Sequence, residues 1–200
     1  MKTNSHARIL KLTQVAFLSA LIVILQIITY FIKLGPFNMS FVLVPVVIGG
    51  ILLGTKYGAV LGGVFGVVVT VVSAIGLDAG GAIVFAANPF LCALTCIGKG
   101  VLAGFVPALV YNAVTVKGKL KFPAMIAAAA LAPVCNTGTF CLAMYFLFND
   151  VLVSWAGGTN VLIYTLTGLV GINFLFELLL NIILCPGIGS VVLKNAKSVK

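Results

Sequence analysis

The sequence predicts an all-α integral membrane protein, a six-transmembrane-helix bundle with both termini in the cytoplasm. Of its 200 residues, 62% are hydrophobic and only 8% are charged, and the mean hydropathy is +1.27. A soluble domain is nearer one quarter charged, so this chain has too little polar surface for a water-soluble globule. The sustained polar and apolar alternation that is typical of an outer-membrane barrel is absent from the sequence.

The apolar runs divide the chain, read as one transmembrane domain over 1–200, into six elements. They cover roughly 10–31, 40–53, 58–76, 88–112, 123–148 and 160–185. The first run follows a basic start and is too long for the apolar region of a signal peptide, so we expect it to be retained. A helix needs about 20 residues to cross the bilayer. The second run falls short, and we expect it to tilt or to lean on its neighbours.

The basic residues set the orientation of this six-span arrangement. Most of them fall on one side of it: Lys2, Arg8, Lys11, Lys56, Lys117, Lys119, Lys121, Lys194, Lys197 and Lys200. The positive-inside rule places that side in the cytoplasm and predicts a multi-pass protein of the plasma membrane. Because the charges form small groups between apolar runs rather than one stripe, the net charge of +9 does not indicate nucleic-acid binding.

Glycine recurs at every fourth position from Gly50 through Gly54, Gly58 and Gly62 to Gly66. This spacing puts small residues on one helix face and lets backbones approach closely in an apolar setting. Since the Thr55-Lys56-Tyr57 segment interrupts the run, we expect a tightly packed hairpin of the second and third spans.

Two full charges, Lys99 and Glu177, lie inside predicted spans, where charges are costly and face a partner or a cavity. At 1.5 Å per residue, Lys99 lies ~20 Å from the inner end of its span near Asn112, and Glu177 lies ~26 Å from Lys194. These similar depths allow a structural ion pair between the fourth and sixth spans. Alternatively, Lys99 binds a carboxylate or phosphate of a substrate, or Glu177 couples to protons.

Several polar side chains are candidates for binding a small molecule. Asn136 and Thr137 lie mid-span between Pro133 and Gly138, where a bend would expose backbone groups. The Asn136 amide can both donate and accept, and an interhelical hydrogen bond is the alternative to ligand binding. The other candidates are Asn88, which also fits a helix N-cap, Asn173 in the sixth span, and Trp155, Asn160 and Tyr164 near the outer face. An interfacial aromatic belt would equally explain Trp155 and Tyr164.

The sequence lacks the motifs of enzymes and of metal or cofactor sites. It has no Walker A motif, no H-E-x-x-H and no G-x-S-x-G, and its five cysteines form no C-x-x-C. Cys92 and Cys96 lie one helical turn apart without a nearby His or acid, which favours apolar filling over metal binding. We therefore expect no catalytic residues, no metal, no cofactor and no ATPase activity of its own.

Taken together, these stretches resemble the substrate-binding S component of energy-coupling factor (ECF) vitamin transporters. The run FVLVPVVIGGILLGTKYGAVLGGVFG is the most specific match, joined by NPFLCALTCIGKGVLAG, CNTG and GINFLFELLLN. Ala16 and Ala20 form an A-x-x-x-A strip on the first span, which is a weaker signal. The resemblance covers nearly the whole chain.

The resemblance implies a pocket open to the outside, built by spans four to six and the outer loops, that binds a vitamin or its precursor. It implies that Asn136 contacts the ligand and that Lys99 and Glu177 recur as a pair. It also implies that Ala16 and Ala20 dock on a transmembrane coupling subunit, which two cytosolic ATPases drive.

The cargo expected from the resemblance is pantothenate, because the candidate pocket residues offer amides and hydroxyls with few aromatic rings. Riboflavin and hydroxymethylpyrimidine are the alternatives within the same branch. Outside this family, the alternatives are a stand-alone secondary transporter or facilitator, a membrane enzyme and a cargo-free scaffold. The first lacks visible inverted repeats, and the second lacks a catalytic constellation.

Overall fold

The computed structural model describes residues 2–31, 33–34, 37–38, 41–115 and 121–198 and is helical almost throughout. Its helices are α1 (Lys2–Phe31), α2 (Leu43–Leu53), α3 (Thr55–Ala74), α4 (Ala79–Ala87), α5 (Pro89–Val114), α6 (Lys121–Leu147), α7 (Asn149–Ala156), α8 (Val161–Tyr164) and α9 (Gly171–Ser198). A π-helical segment, Thr165–Val170, joins α8 to α9. Between α1 and α2, the short strands β1 (Lys33–Leu34) and β2 (Phe37–Asn38) pair antiparallel.

Five stretches of the described helices are long and apolar enough to cross a membrane. They are Arg8–Thr29, Thr55–Ala74, Pro89–Val114, Lys121–Leu147 and Asn173–Val192. The prediction of an all-helical, multi-pass membrane protein is therefore confirmed. The count of six spans and the cytoplasmic position of both termini stay predictions.

The predicted second span is the 11-residue helix α2, which lies at the centre of the bundle. Every residue from Leu43 to Ile51 is buried, because α1, α3, α5, α6 and α9 all contact this helix. A helix covered by protein on all sides does not need the length of a lipid-facing one. This explains how so short an apolar helix is accommodated.

The glycine run forms the closest helix contact in the described part of the molecule, and its main partner is α5. Gly58 lies against Gly104, Gly62 against Gly100, and Gly66 against the backbone of Cys96. In each case a Cβ on the α3 glycine would meet a carbonyl oxygen of α5. The expected approach of α2 to α3 also occurs, because a Cβ on Gly50 would lie 3.2 Å from the Cα of Gly58.

The hinge between α2 and α3 is the single residue Gly54, at φ 110° and ψ 165°. This backbone conformation is essentially restricted to glycine. The sequence suggested an interruption over Thr55-Lys56-Tyr57, but α3 already begins at Thr55. One residue therefore reverses the chain direction.

The predicted sixth span, 160–185, is not one regular helix. Asn160 caps the short helix α8, the π-helical segment follows, and α9 begins at Gly171 and continues to Ser198. The fifth span, by contrast, is the continuous helix α6, even with Pro133 in its interior. The bend that we expected near Asn136 stays a prediction, and the irregular π-helical segment lies just before α9, which packs on α6.

Candidate functional site

A cavity of about 310 Å³ lies inside the bundle, towards the end where α3 leads into α4 and α6 into α7. Residues of α1, α3, α5, α6 and α9 form its walls, and Asp78, α4 and α7 contribute at its mouth. This volume is at the small end of the range of about 300–1,000 Å³ that is usual for ligand pockets. The cavity therefore fits a small polar molecule.

One face of α5 supplies the best-defined wall. Cys92, Thr95, Cys96 and Lys99 line the cavity, and their spacing of three and four residues puts them on one side of the helix. The adjoining side of α5 carries the glycines that pack on α3. Because that backbone contact fixes the helix, the four side chains have a rigid support.

Lys99 is the cation of the described cavity wall. Its Nζ lies 4.8 Å from the centroid of the Phe140 ring on α6, in a cation–π geometry. Glu177 on α9 lines the same cavity and is only 6% exposed. The structure thus brings the two predicted charges into one cavity, and the ion pair between them stays a prediction.

Asn136 and Thr137 of α6 and Asn173 of α9 also line the cavity. Asn173 lies one helical turn before Glu177, so α9 presents both on one face. The next residue in this row, Asn181, is fully buried and donates through Nδ2 to the Glu177 carbonyl oxygen at 2.8 Å. Asn181 therefore has a structural role, as its position beyond the cavity suggests.

Asn136 Oδ1 and Thr95 Oγ1 are buried polar atoms of the cavity wall to which no described residue offers a hydrogen bond. Other hydroxyls of the wall are engaged, since Thr29 donates to the Leu25 carbonyl at 2.8 Å and Ser73 to the Val69 carbonyl at 2.9 Å. A buried polar atom without a partner costs about 1–3 kcal/mol. Water or a polar ligand in the cavity would remove this cost.

The mouth of the cavity carries Asp78, Gly80, Gly81 and Trp155. Asp78 occupies the N-cap position of α4, yet its side chain makes no capping hydrogen bond. Trp155 is half-buried, and its ring lies 3.8 Å from where a Cβ of Gly80 would be. An acidic group and an indole ring thus flank the entrance.

Three of the residues predicted for the site, Asn88, Asn160 and Tyr164, do not line this cavity. Asn88 caps α5 and accepts from the Leu91 N–H at 3.1 Å, as its alternative interpretation suggested. Asn160 caps α8 and accepts from the Leu162 N–H at 2.9 Å. Tyr164 is half-buried and packs against the apolar core.

Ala16 and Ala20, the residues predicted to dock on a partner, are both exposed on α1. The share of this helix's apolar segment that is buried inside the structure is small, 17%. Its surface between Arg8 and Thr29 is therefore available to lipid or to another protein.

Sequence reasoning missed Thr95, Gln26 and Asp78 as residues of the cavity wall. Thr95 could have been found, since it lies one turn before Lys99 on the same helix face. Gln26 carried a weaker signal, a polar side chain in an apolar span. Asp78 lies in the connection between α3 and α4, where no helical periodicity indicates which way a side chain points.

Within the described residues, no group of three or more His, Cys, Asp or Glu side chains could hold a metal ion. Cys92 and Cys96 lie side by side in the cavity wall and are both buried free thiols.

Membrane-length helices around a polar cavity define a multi-pass membrane protein with an internal site of small-molecule size. A family model described as the ECF transporter, substrate-specific component matches residues 10–189. The chain belongs to this family. No curated protein matches the sequence. The family consists of transporter subunits rather than enzymes, so the protein belongs in a membrane, in association with an ECF module.

Proposed function

We propose that the protein is the high-affinity substrate-binding subunit of an ECF-type importer for a water-soluble vitamin or precursor, and that pantothenate is its cargo. One observation supports this most directly. The cation of Lys99 and the unpaired Asn136 Oδ1 and Thr95 Oγ1 line the same cavity inside the bundle.

The chemistry of the cavity wall favours pantothenate over riboflavin. The carboxylate of pantothenate would pair with Lys99, and its amide N–H would donate to Asn136 Oδ1. Thr137 and Asn173 offer further hydrogen-bonding groups. A flavin ring system would need a larger cavity with more stacking surface than about 310 Å³ provides. Hydroxymethylpyrimidine would fit this volume, but it has no carboxylate for Lys99.

The rest of the machinery lies in partner proteins. In this proposal the exposed strip of Ala16 and Ala20 on α1 docks on a transmembrane coupling subunit, and two cytosolic ATPases supply the energy. Small residues four apart on a lipid-facing helix allow close approach of a second helix. The termini lie in the cytoplasm of a cell whose plasma membrane holds the complex.

The test is calorimetric titration of the purified protein in detergent with pantothenate, riboflavin and hydroxymethylpyrimidine. We expect pantothenate to bind and riboflavin not to copurify as a yellow chromophore. Asn136→Ala should weaken binding at least tenfold, as loss of a buried ligand hydrogen bond does.

Asn112→Ala is the matched control. Asn112 is exposed and ties α5 to α3 through a 3.0 Å hydrogen bond from Nδ2 to Thr55 Oγ1, away from the cavity. This variant should lose some stability and keep its affinity. Equal affinities in the two variants would contradict the proposed site, and uptake that persists without the ATPases would indicate a stand-alone facilitator.

A further inference from the structure

We propose that Asp78 is a ligand-binding carboxylate at the mouth of the cavity, and that it selects a cargo with hydroxyl or amino donors. At its other end such a cargo carries an acceptor group for Lys99, which in pantothenate is the carboxylate. This inference rests on the proposed function and deepens it, because it assigns a second pole to the same site.

The Asp78 carboxylate lines the cavity and is half-buried there. It makes no capping hydrogen bond to α4, and no hydrogen bond or salt bridge to any described residue engages it. The nearby Ser73 hydroxyl donates its proton to the Val69 carbonyl of its own helix. A half-buried carboxylate that accepts no hydrogen bond from a described residue can accept hydrogen bonds from a ligand.

The chain also makes room for this carboxylate. A Cβ on Gly81 would lie 2.7 Å from Asp78 Oδ2 and 3.0 Å from Ser73 Cβ, and it would collide with Ser73 Oγ. Only a residue without a side chain lets the carboxylate rest at this position beside the cavity. Trp155 lines the same part of the cavity and offers an apolar ring surface to a ligand.

The two poles are of opposite charge and belong to different elements. Lys99 projects from α5 beside Phe140, whereas Asp78 lies between α3 and α4. Together with Glu177, the described wall carries two acids and one base. A ligand that is only an anion would match one pole and oppose the other, so the cargo should also bring donors. All three vitamins carry such donors: pantothenate has two hydroxyls, riboflavin has its ribityl hydroxyls, and hydroxymethylpyrimidine has an amino and a hydroxymethyl group.

The experiment is a double-mutant cycle between protein and ligand. Wild type and Asp78→Asn are titrated with pantothenate and with N-(3,3-dimethylbutanoyl)-β-alanine, which keeps the carbon skeleton, the carboxylate and the amide but lacks both hydroxyls. Since hydrogen bonds to a charged group are strong, we expect Asp78→Asn to weaken pantothenate binding about tenfold or more. The affinity ratio between pantothenate and the analogue should shrink in the variant, which a merely structural change would not cause.

Asp150→Asn is the control, because Asp150 is exposed on α7 and does not line the cavity. Gly81→Ala, which displaces the Asp78 carboxylate, should reproduce the loss. If wild type binds riboflavin or hydroxymethylpyrimidine instead, Asp78→Asn should weaken that vitamin to the same extent. If Asp78→Asn binds the vitamin with the same affinity as wild type, this inference is overturned and the proposed function stands. Binding of none of the three vitamins overturns the proposed function and this inference with it.

Discussion

Gly62 of α3 and Gly100 of α5 are in direct backbone contact. A Cβ built on either residue would collide with the carbonyl oxygen of the other. The residue before Gly100 on α5, Lys99, lines the cavity. The contact therefore sets the distance between a scaffold helix and the helix that supplies much of the candidate site.

We expect Gly62→Ala to destabilise the protein strongly. Overpacking costs about 1–3 kcal/mol where side chains can move aside, and here the opposing atoms are backbone, so the cost should be at least that large. Gly63→Ala is the matched control, since a Cβ there would make only an ordinary 3.6 Å contact with Val101. The midpoint of thermal unfolding in detergent measures both. Similar midpoints for the two variants would show that α3 and α5 can separate without cost.

The glycine run illustrates what the sequence could predict and what it could not. The spacing from Gly50 to Gly66 indicated the contact face of a helix, because periodicity defines a face. It did not indicate that α5 would cover that face, since periodicity says nothing about the neighbour. The partner helix is identified only in the structure, where Gly100 and Gly104 of α5 lie against Gly62 and Gly58 of α3.

The same limit applies to the site. Lys99, Glu177 and Asn136 were candidates because a polar side chain inside an apolar span is costly unless it faces a partner or a cavity. All three line one cavity. Asn88 and Asn160 were candidates at the predicted ends of spans, and each caps a helix outside that cavity. A polar residue at a helix end can be explained by capping alone, so its sequence position does not show whether it also lines a cavity.

The hinge at Gly54 should tolerate no other residue, including asparagine. Its φ of 110° with ψ of 165° lies in a region that costs other residues about 1–3 kcal/mol. Gly157, at φ 55° and ψ 36°, is in the ordinary left-handed region that asparagine accepts. A Cβ added at either glycine would have no neighbouring atom within 4 Å, so only backbone conformation differs.

The expected result is a lower unfolding midpoint for Gly54→Asn than for Gly157→Asn, which should lie close to wild type. Thermal unfolding followed by circular dichroism measures both variants under one condition. If Gly54→Asn matched Gly157→Asn, the hinge would have to adopt a different conformation from the one described.

Lys99→Met should weaken pantothenate binding about tenfold or more, because a charge-assisted hydrogen bond to the carboxylate is lost. Methionine keeps much of the apolar stem and its contact with Phe140. Panthenol, in which an alcohol replaces the carboxylate, should bind wild type and variant with similar affinity. Calorimetry with both ligands separates loss of charge pairing from general damage to the cavity.

Lys121→Met is the matched lysine control, because Lys121 is exposed at the start of α6 and does not line the cavity. It should bind pantothenate as wild type does. A Lys99→Met variant that lost panthenol and pantothenate equally would point to a structural role for this lysine, as in the predicted ion pair with Glu177.

Thr95→Val should leave the ligand-free protein as stable as wild type, or up to about 1 kcal/mol more stable, while weakening ligand binding. The substitution keeps the shape and removes Oγ1, a buried atom to which no described residue offers a hydrogen bond. If that atom bonds to cargo, its loss appears only in the bound state.

Thr70→Val is the contrasting control: Thr70 lies outside the cavity and donates to the Gly66 carbonyl at 2.8 Å. That variant should lose about 0.5–1.5 kcal/mol of stability and keep its affinity. Unfolding midpoints with and without pantothenate measure both effects, and an unchanged ligand-induced shift in Thr95→Val would remove this hydroxyl from the site.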